Sequence, residues 1–177
     1  MSVSALGTRR MIAIDPTSRG FGFVVFEGPE RLIDWAVVET RKDKQEECLR
    51  RVAELMGRYR PDMLVLEDST GRGSRRCPRV QKFINKVQRL AGKESIATRS
   101  FSRAKVRQAF SDSGAKTKYE IATVIAKRFP ELALRLPPIR KPWMSEDDRM
   151  SLFDAASLAF ALFSFTERRR HGRSLKV

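Results

Sequence analysis

Three apolar runs in this chain each deliver an acid, at Ile14-Asp15-Pro16, Leu66-Glu67-Asp68 and Phe153-Asp154-Ala155-Ala156. Such runs form the buried elements of a core, so each acid is placed at the rim of one. A carboxylate there is costly unless something compensates its charge. For any one of the three, an ion pair or a capping role serves as well as a metal. Three in this order favour a divalent cation shared among them.

The surrounding pattern says which elements carry the acids. Met11–Ile14, Phe21–Phe26 and Leu32–Val38 alternate with turn-forming stretches and read as three strands of an antiparallel meander. Cys48, Leu49, Val52, Leu55, Met56 and Tyr59 recur at helical spacing between Asp43 and Arg58. Pro61-Asp62 ends that helix. Met63–Leu66 is continuously apolar, which predicts a strand buried on both faces and ending at Glu67.

Val80, Phe83, Ile84, Val87, Leu90 and Ala91 predict a helix over 79–91, and Ser95–Thr98 a fifth strand. Ser102 caps a short helix reaching Phe110, and Thr117 with Glu120 is a capping box for a helix ending at Phe129-Pro130. Pro137, Pro138 and Pro142 stiffen a connector. Ser145 with Asp148 has the pattern of another box, opening a last helix to about Glu167.

The expected fold class is therefore α/β, a five-stranded mixed sheet flanked by helices. Residues 1–10 read as a loose tail, 11–167 as one domain and 168–177 as a basic tail. In this arrangement Asp15 leaves the first strand beside the end of the fourth, where Glu67 emerges. Neighbouring strands lie ~5 Å apart, so the two carboxylates can share an ion.

Charge narrows the partner. The chain carries a net +15, and Ser69–Arg107 accounts for +11 of it, with twelve basic residues against Glu94 alone. Arg79, Lys82, Lys86 and Arg89 form a stripe on the 79–91 helix, and Arg72, Arg75 and Arg76 follow Gly71 in a loop beside Glu67. A solvated face or an anionic-membrane patch are the other readings of such a run. Its position beside candidate metal acids favours nucleic acid.

No apolar run is expected to reach the length of a membrane span, and the N-terminus has no signal-like segment. Cys48 falls on an apolar helix face as a buried thiol, and neither Cys48 nor Cys77 has metal-ligand spacing with His171. A cytoplasmic, nucleoid-associated location is the expectation.

Ile14-Asp15-Pro16-Thr17-Ser18-Arg19 with Gly22, Pro61-Asp62 through Leu66-Glu67, and Asp154-Ala155-Ala156-Ser157-Leu158-Ala159 together resemble the RuvC-type Holliday-junction resolvases of the ribonuclease H-like superfamily. The similarity spans about residues 11–165. It implies a ribonuclease H-like fold, a homodimer, and DNA, above all branched and four-way junctions, as partner. It also implies hydrolysis with Mg²⁺ or Mn²⁺, Asp15 bridging two ions and Glu67 and Asp154 each completing one site. Gly114 followed by Lys118 resembles the family's loop bearing a phosphate-contacting lysine.

Two departures accompany the likeness. The family's second acid or His, three residues before the last Asp, is here Ser151. Asp147, two turns before Asp154, is either a displaced fourth ligand or an acid favouring a helix start. The aromatic that follows the strand-four Glu in studied resolvases is also missing from Asp68-Ser69-Thr70-Gly71-Arg72.

Two metal ions ~3.5–4 Å apart can activate water and stabilise the leaving oxygen of a phosphodiester, and Mg²⁺ takes carboxylate oxygens. Asp15, Glu67, Asp154, Asp147 and Lys118 are the candidate catalytic residues, the four acids as ligands and Lys118 on the phosphate. Lys116 is a candidate backbone contact. Phe21, Phe23 and Phe26 read as core rather than as base-stacking residues. The leading reading is a metal-dependent, structure-selective DNA endonuclease acting in recombination and repair. An RNA-processing nuclease and an inactive nucleic-acid-binding protein of the same fold are its rivals. The dimer has a second basis, an apolar face on helix 79–91 taken to be exposed.

Overall fold

The computed structural model describes residues 9–40, 44–70 and 76–174. Three strands form a meander: β1 (Arg10–Pro16), β2 (Gly20–Glu27) and β3 (Arg31–Glu39). Helix α1 (Lys44–Tyr59) leads to β4 (Met63–Glu67), and α2 (Pro78–Lys93) to β5 (Ala97–Phe101). Helices α3 (Arg103–Ala109), α4 (Lys118–Arg128), α5 (Pro130–Ala133) and α6 (Met150–Ser174) follow, with a 3-10 turn at Ser111–Ser113.

The sheet order is β3-β2-β1-β4-β5, with β1 antiparallel to β2 and parallel to β4, and β4 parallel to β5. This is the five-stranded mixed sheet that the sequence predicts.

Alternation along the strands divides two cores. Ile12 and Ile14 of β1, Phe21, Phe23 and Val25 of β2, and Leu64 and Leu66 of β4 pack under α1 and α2. Met11, Ala13, Val24, Phe26 and Val65 face the other way, against α3, α4 and α6. By the same period, Asp15 follows Ala13 and Glu67 follows Val65 onto the α6 side. The three phenylalanines of β2 are core residues, as their spacing predicts.

Helix α6 runs through the middle of its layer. Leu152, Phe153, Ala155, Ala156, Leu158, Ala159, Ala161, Leu162 and Phe163 are buried, so it is apolar on nearly every side. Among the described residues its Met150–Arg168 stretch is long and apolar enough to cross a membrane, which corrects the expectation that none is. The composition has another cause here, since 67% of that window is buried inside the domain.

Other expectations shift. The Ser145–Asp148 pattern does not open α6. The helix starts at Met150, whose amide donates to the Asp147 carbonyl at 2.9 Å, and Asp148 instead pairs with Arg19 at 3.2 Å. At its other end α6 continues past Glu167 to Ser174. Strand β5 lies two to three residues later than predicted, because Ser95, at φ +57, and Glu94 close the end of α2. The apolar face of α2 is not exposed: Val80, Phe83, Ile84, Val87 and Ala91 are buried against the sheet. It therefore offers no surface for a dimer.

Candidate active site

Two strand ends and one helix build the site. The β1–β4 register pairs Ala13 with Val65, and continuing it two residues brings Asp15 level with Glu67. Asp15 also pairs across β2 with Gly22. A Cβ on Gly22 would lie 2.3 Å from the Ser151 backbone, so only glycine lets the first turn of α6 press onto the sheet there. That contact sets α6 down with Asp154 one turn further along, facing the strand ends.

Asp15, Glu67 and Asp154 line one cavity of about 230 Å³, together with Arg103, Lys116 and Lys118. Asp15 is 2% exposed and Glu67 5%. Burial lifts the Asp15 carboxyl from its ordinary 3.8 to about 7; Arg76 and Lys118 oppose the rise, and the charges of Asp154 and Glu67 add to it. Asp154 is likewise raised by burial, against the pull of Lys118 and Arg103.

Cations answer these acids. Arg76 donates from Nε to Glu67 Oε2 at 2.7 Å and from one terminal nitrogen to the Pro16 carbonyl at 2.8 Å. Its other terminal nitrogen reaches both Asp15 and Glu67. Arg103 Nε donates to the second Glu67 oxygen at 3.0 Å. Lys118 Nζ lies 2.7 Å from Asp154 Oδ2 and 2.7 Å from Glu146 Oε1. Burial works against the Lys118 ammonium, but Asp154 and Glu146 outweigh it and raise its pKa. Gly114, at φ +74, closes the 3-10 turn before the loop that brings in Lys118, and the Thr117–Glu120 capping box fixes the start of α4.

The remaining candidates lie elsewhere. Asp147 is outside the cavity lining and holds Arg149 by bonds of 2.9 and 2.7 Å, which keep its carboxyl below the usual range. Arg79, Lys82, Lys86 and Arg89 are all exposed along α2, and Lys116 is exposed at the cavity rim. Arg72 and Arg75 lie outside the described residues. Ser151, where the resemblance expects an acid or His, is buried and donates to the Asp148 carbonyl at 2.6 Å.

Sequence reasoning missed Arg103 and Glu146 as members of the site. Arg103 had a signal. The register sets Glu67 beside Phe101, so the helix that starts two residues later must begin next to the acid. Glu146 had none, since it reaches Lys118 from an irregular connector.

Among the described residues, no group of three or more His, Cys, Asp or Glu side chains is arranged to hold a metal ion as the side chains now stand. The donor chemistry nevertheless fits one. Three carboxylates share a cavity, oxygen donors of the kind Mg²⁺ takes, and the positive charge now between Asp15 and Glu67 is the Arg76 guanidinium.

No family model matches the sequence, and no curated protein matches it either. Solved structures do. RuvC of Thermus thermophilus in complex with Holliday junction substrate superposes with a TM-score of 0.67 at 20% identity, over 89% of this chain and 94% of that one. A second Thermus thermophilus RuvC structure gives 0.65 at 20% identity, covering 90% and 96%. The yeast mitochondrial Holliday junction resolvase Ydc2 gives 0.62 at 15% identity, covering 98% and 85%.

The fold is ribonuclease H-like, with three carboxylates at one end of its sheet. Within that class it is the RuvC-type resolvase fold.

Proposed function

We propose that this protein is a divalent-metal-dependent endonuclease that cuts branched DNA, with four-way junctions as its substrate. The observation that carries the reading is the convergence of Asp15, Glu67 and Asp154 on one cavity, in the fold that Holliday-junction resolvases share. A net charge of +15 supplies the attraction to a polyanion.

Asp15, Glu67 and Asp154 would hold Mg²⁺ or Mn²⁺, with Asp15 near enough to the other two for both of their charges to act on it. Bound there, the metal would supply Lewis acidity to activate water and stabilise the leaving oxygen. Lys118, kept charged by Asp154 and Glu146, presents a donor to a phosphate oxygen in the same cavity. Arg103 orients Glu67 through its second oxygen. Lys116 and the α2 stripe bind backbone phosphates further out, where their exposure leaves them accessible. Resolving a four-way junction takes two symmetric cuts, which a dimer with two such cavities would supply.

Cleavage of end-labelled four-way, three-way, flap and linear DNA with Mg²⁺ or Mn²⁺ tests the reading. Junction cleavage that vanishes in EDTA supports it. Cleavage of RNA in preference would move the substrate class. Two observations favour a binding protein without activity: Arg76 stands between Asp15 and Glu67, and Ser151 brings no ligand. Tight junction binding with no cleavage under either metal would establish that alternative.

A further inference from the structure

The connector between α5 and α6 carries the largest exposed apolar side chains of the described chain: Leu134, Ile139, Trp143 and Met144. Trp143 is 79% exposed. A bare indole is a poor choice for a solvent-facing turn, where small polar residues serve. Its presentation is nonetheless built. The Met144 amide donates to the Lys141 carbonyl at 3.0 Å, closing a turn with Pro142 and Trp143 at its two central positions. Arg140 Nε braces the turn by donating to the Met144 carbonyl at 2.5 Å. Lys141 Nζ sits 5.5 Å from the centre of the indole ring.

Position and charge identify the occupant. Residues 134–144 include Arg135, Arg140 and Lys141 and no acid. Glu146, three residues beyond Trp143, bonds to Lys118, which bonds to Asp154. Three residues of chain span at most roughly 10 Å, so the Trp143 backbone is tethered within that reach of Glu146, the partner of the cavity's Lys118. An exposed aromatic on a basic, proline-stiffened turn suits a nucleobase. Its π-face accepts any base, while the cations hold the backbone.

We propose that Trp143 is a base-stacking residue, which takes a base left unpaired or unstacked at a branch point while the adjoining backbone enters the Asp15–Glu67–Asp154 cavity. The inference rests on the proposed DNA substrate, and its test separates the two.

The chain has two tryptophans, and Trp35 packs partly buried in the core. A Trp35→Phe variant makes Trp143 the sole tryptophan reporter. Single-stranded DNA and four-way junctions should quench its emission strongly, and linear duplex weakly. Trp143→Ala should weaken junction binding roughly five- to tenfold while duplex affinity stays within about twofold, and Trp143→Phe should restore most of the loss.

Junction affinity unchanged in Trp143→Ala, in a protein whose wild type prefers junctions, would overturn the inference. A shift from dimer to monomer in that variant, seen by light scattering, would also overturn it, by making the indole a subunit contact. Wild-type protein that binds junction and duplex alike would instead defeat the substrate reading. The stacking role then stands or falls on the single-strand quench alone.

Discussion

Arg76 donates from Nε to Glu67 at 2.7 Å, and the same guanidinium reaches Asp15, so one cation ties together the ends of two neighbouring strands. Its carbonyl in turn accepts from Gln81 Nε2 of α2 at 3.0 Å, which anchors the residue at the helix entrance. Burial disfavours the Arg76 charge, but Asp15 and Glu67 more than compensate and raise its pKa. A metal between those acids would have to displace it.

Arg76→Ala should therefore act in opposite directions on the two states. Without metal it leaves two buried acids without their main counter-charge, and stability should fall by about 3–5 kcal/mol. With Mn²⁺ present the loss should largely disappear, because the competing cation is gone. Thermal unfolding in EDTA and across a Mn²⁺ titration measures both. An equal Mn²⁺-induced rise in Tm for the wild type and the variant would reject the competition.

Asp15→Asn, Glu67→Gln and Asp154→Asn should each lower cleavage roughly a hundredfold or more, because each removes a charged ligand from the metal chemistry. Junction binding should survive, since these acids are not phosphate contacts. Asp147→Asn should change cleavage little, because its carboxylate is engaged by Arg149. Cleavage assays paired with gel shifts in Ca²⁺ check all four. Near-normal cleavage in two of the first three variants would reject the site.

The pH dependence follows from Asp15, whose carboxyl is lifted from 3.8 to about 7. A raised folded-state pKa means that the folded protein binds the proton more tightly than the unfolded chain. Its contribution to stability is full below pH ~4 and is lost as pH rises toward about 7. Metal-free wild type should lose stability over that window relative to Asp15→Asn, which has no proton to release there. Metal affinity should rise over the same window, with proton release on binding. Unfolding in EDTA against pH, and titration calorimetry in two buffers of different ionisation enthalpy, measure these effects. Parallel stability curves for the two proteins would refute the assignment.

Much of this was legible because it depends on short periods. Alternation in β1, β2 and β4 fixes which side chains face which core, and apolar runs ending in Asp15 and Glu67 place both acids at strand ends. What stayed hidden depends on contacts with no local period. Arg76 meets Asp15 across 61 residues, and Lys118 meets Glu146 across 28. The start of α6 was misread for the same reason: the Ser145–Asp148 spacing suits a capping box, but Asp148 is held by Arg19 from 129 residues away. The supposed dimer face on α2 failed differently. Its apolar stripe was correctly located, but the sequence did not reveal that the sheet covers it.

The α2 stripe gives a salt prediction. Arg79, Lys82, Lys86 and Arg89 are exposed while the opposite face of the helix is core, so they can change without disturbing the fold. Each phosphate they neutralise should add roughly −0.9 to the slope of log affinity against log salt on duplex DNA. Lys82→Gln with Lys86→Gln should make that slope shallower by about 1–2. Fluorescence anisotropy from low to moderate salt reads it, and an unchanged slope would leave the stripe as a solvated face.

Gly22 joins the fold to the chemistry. It pairs with Asp15 across β2, and a Cβ there would stand 2.3 Å from the Ser151 carbonyl carbon and 2.4 Å from its oxygen. Both are backbone atoms of the α6 entrance, so no side chain can swing aside to relieve the clash. Gly22→Ala must push that entrance off the sheet, at a cost of about 1–3 kcal/mol or more. The displacement should also carry Asp154, one turn along the same helix, away from Asp15. Cleavage should then fall much further than the lost stability explains, even at a temperature where the variant stays folded. The control is Gly57→Ala, on α1, where an added Cβ meets nothing within 4 Å and helix propensity favours alanine. Thermal unfolding and junction cleavage of the two variants side by side measure the difference. Full activity in a folded Gly22→Ala protein would show that Asp154 does not depend on this contact for its position.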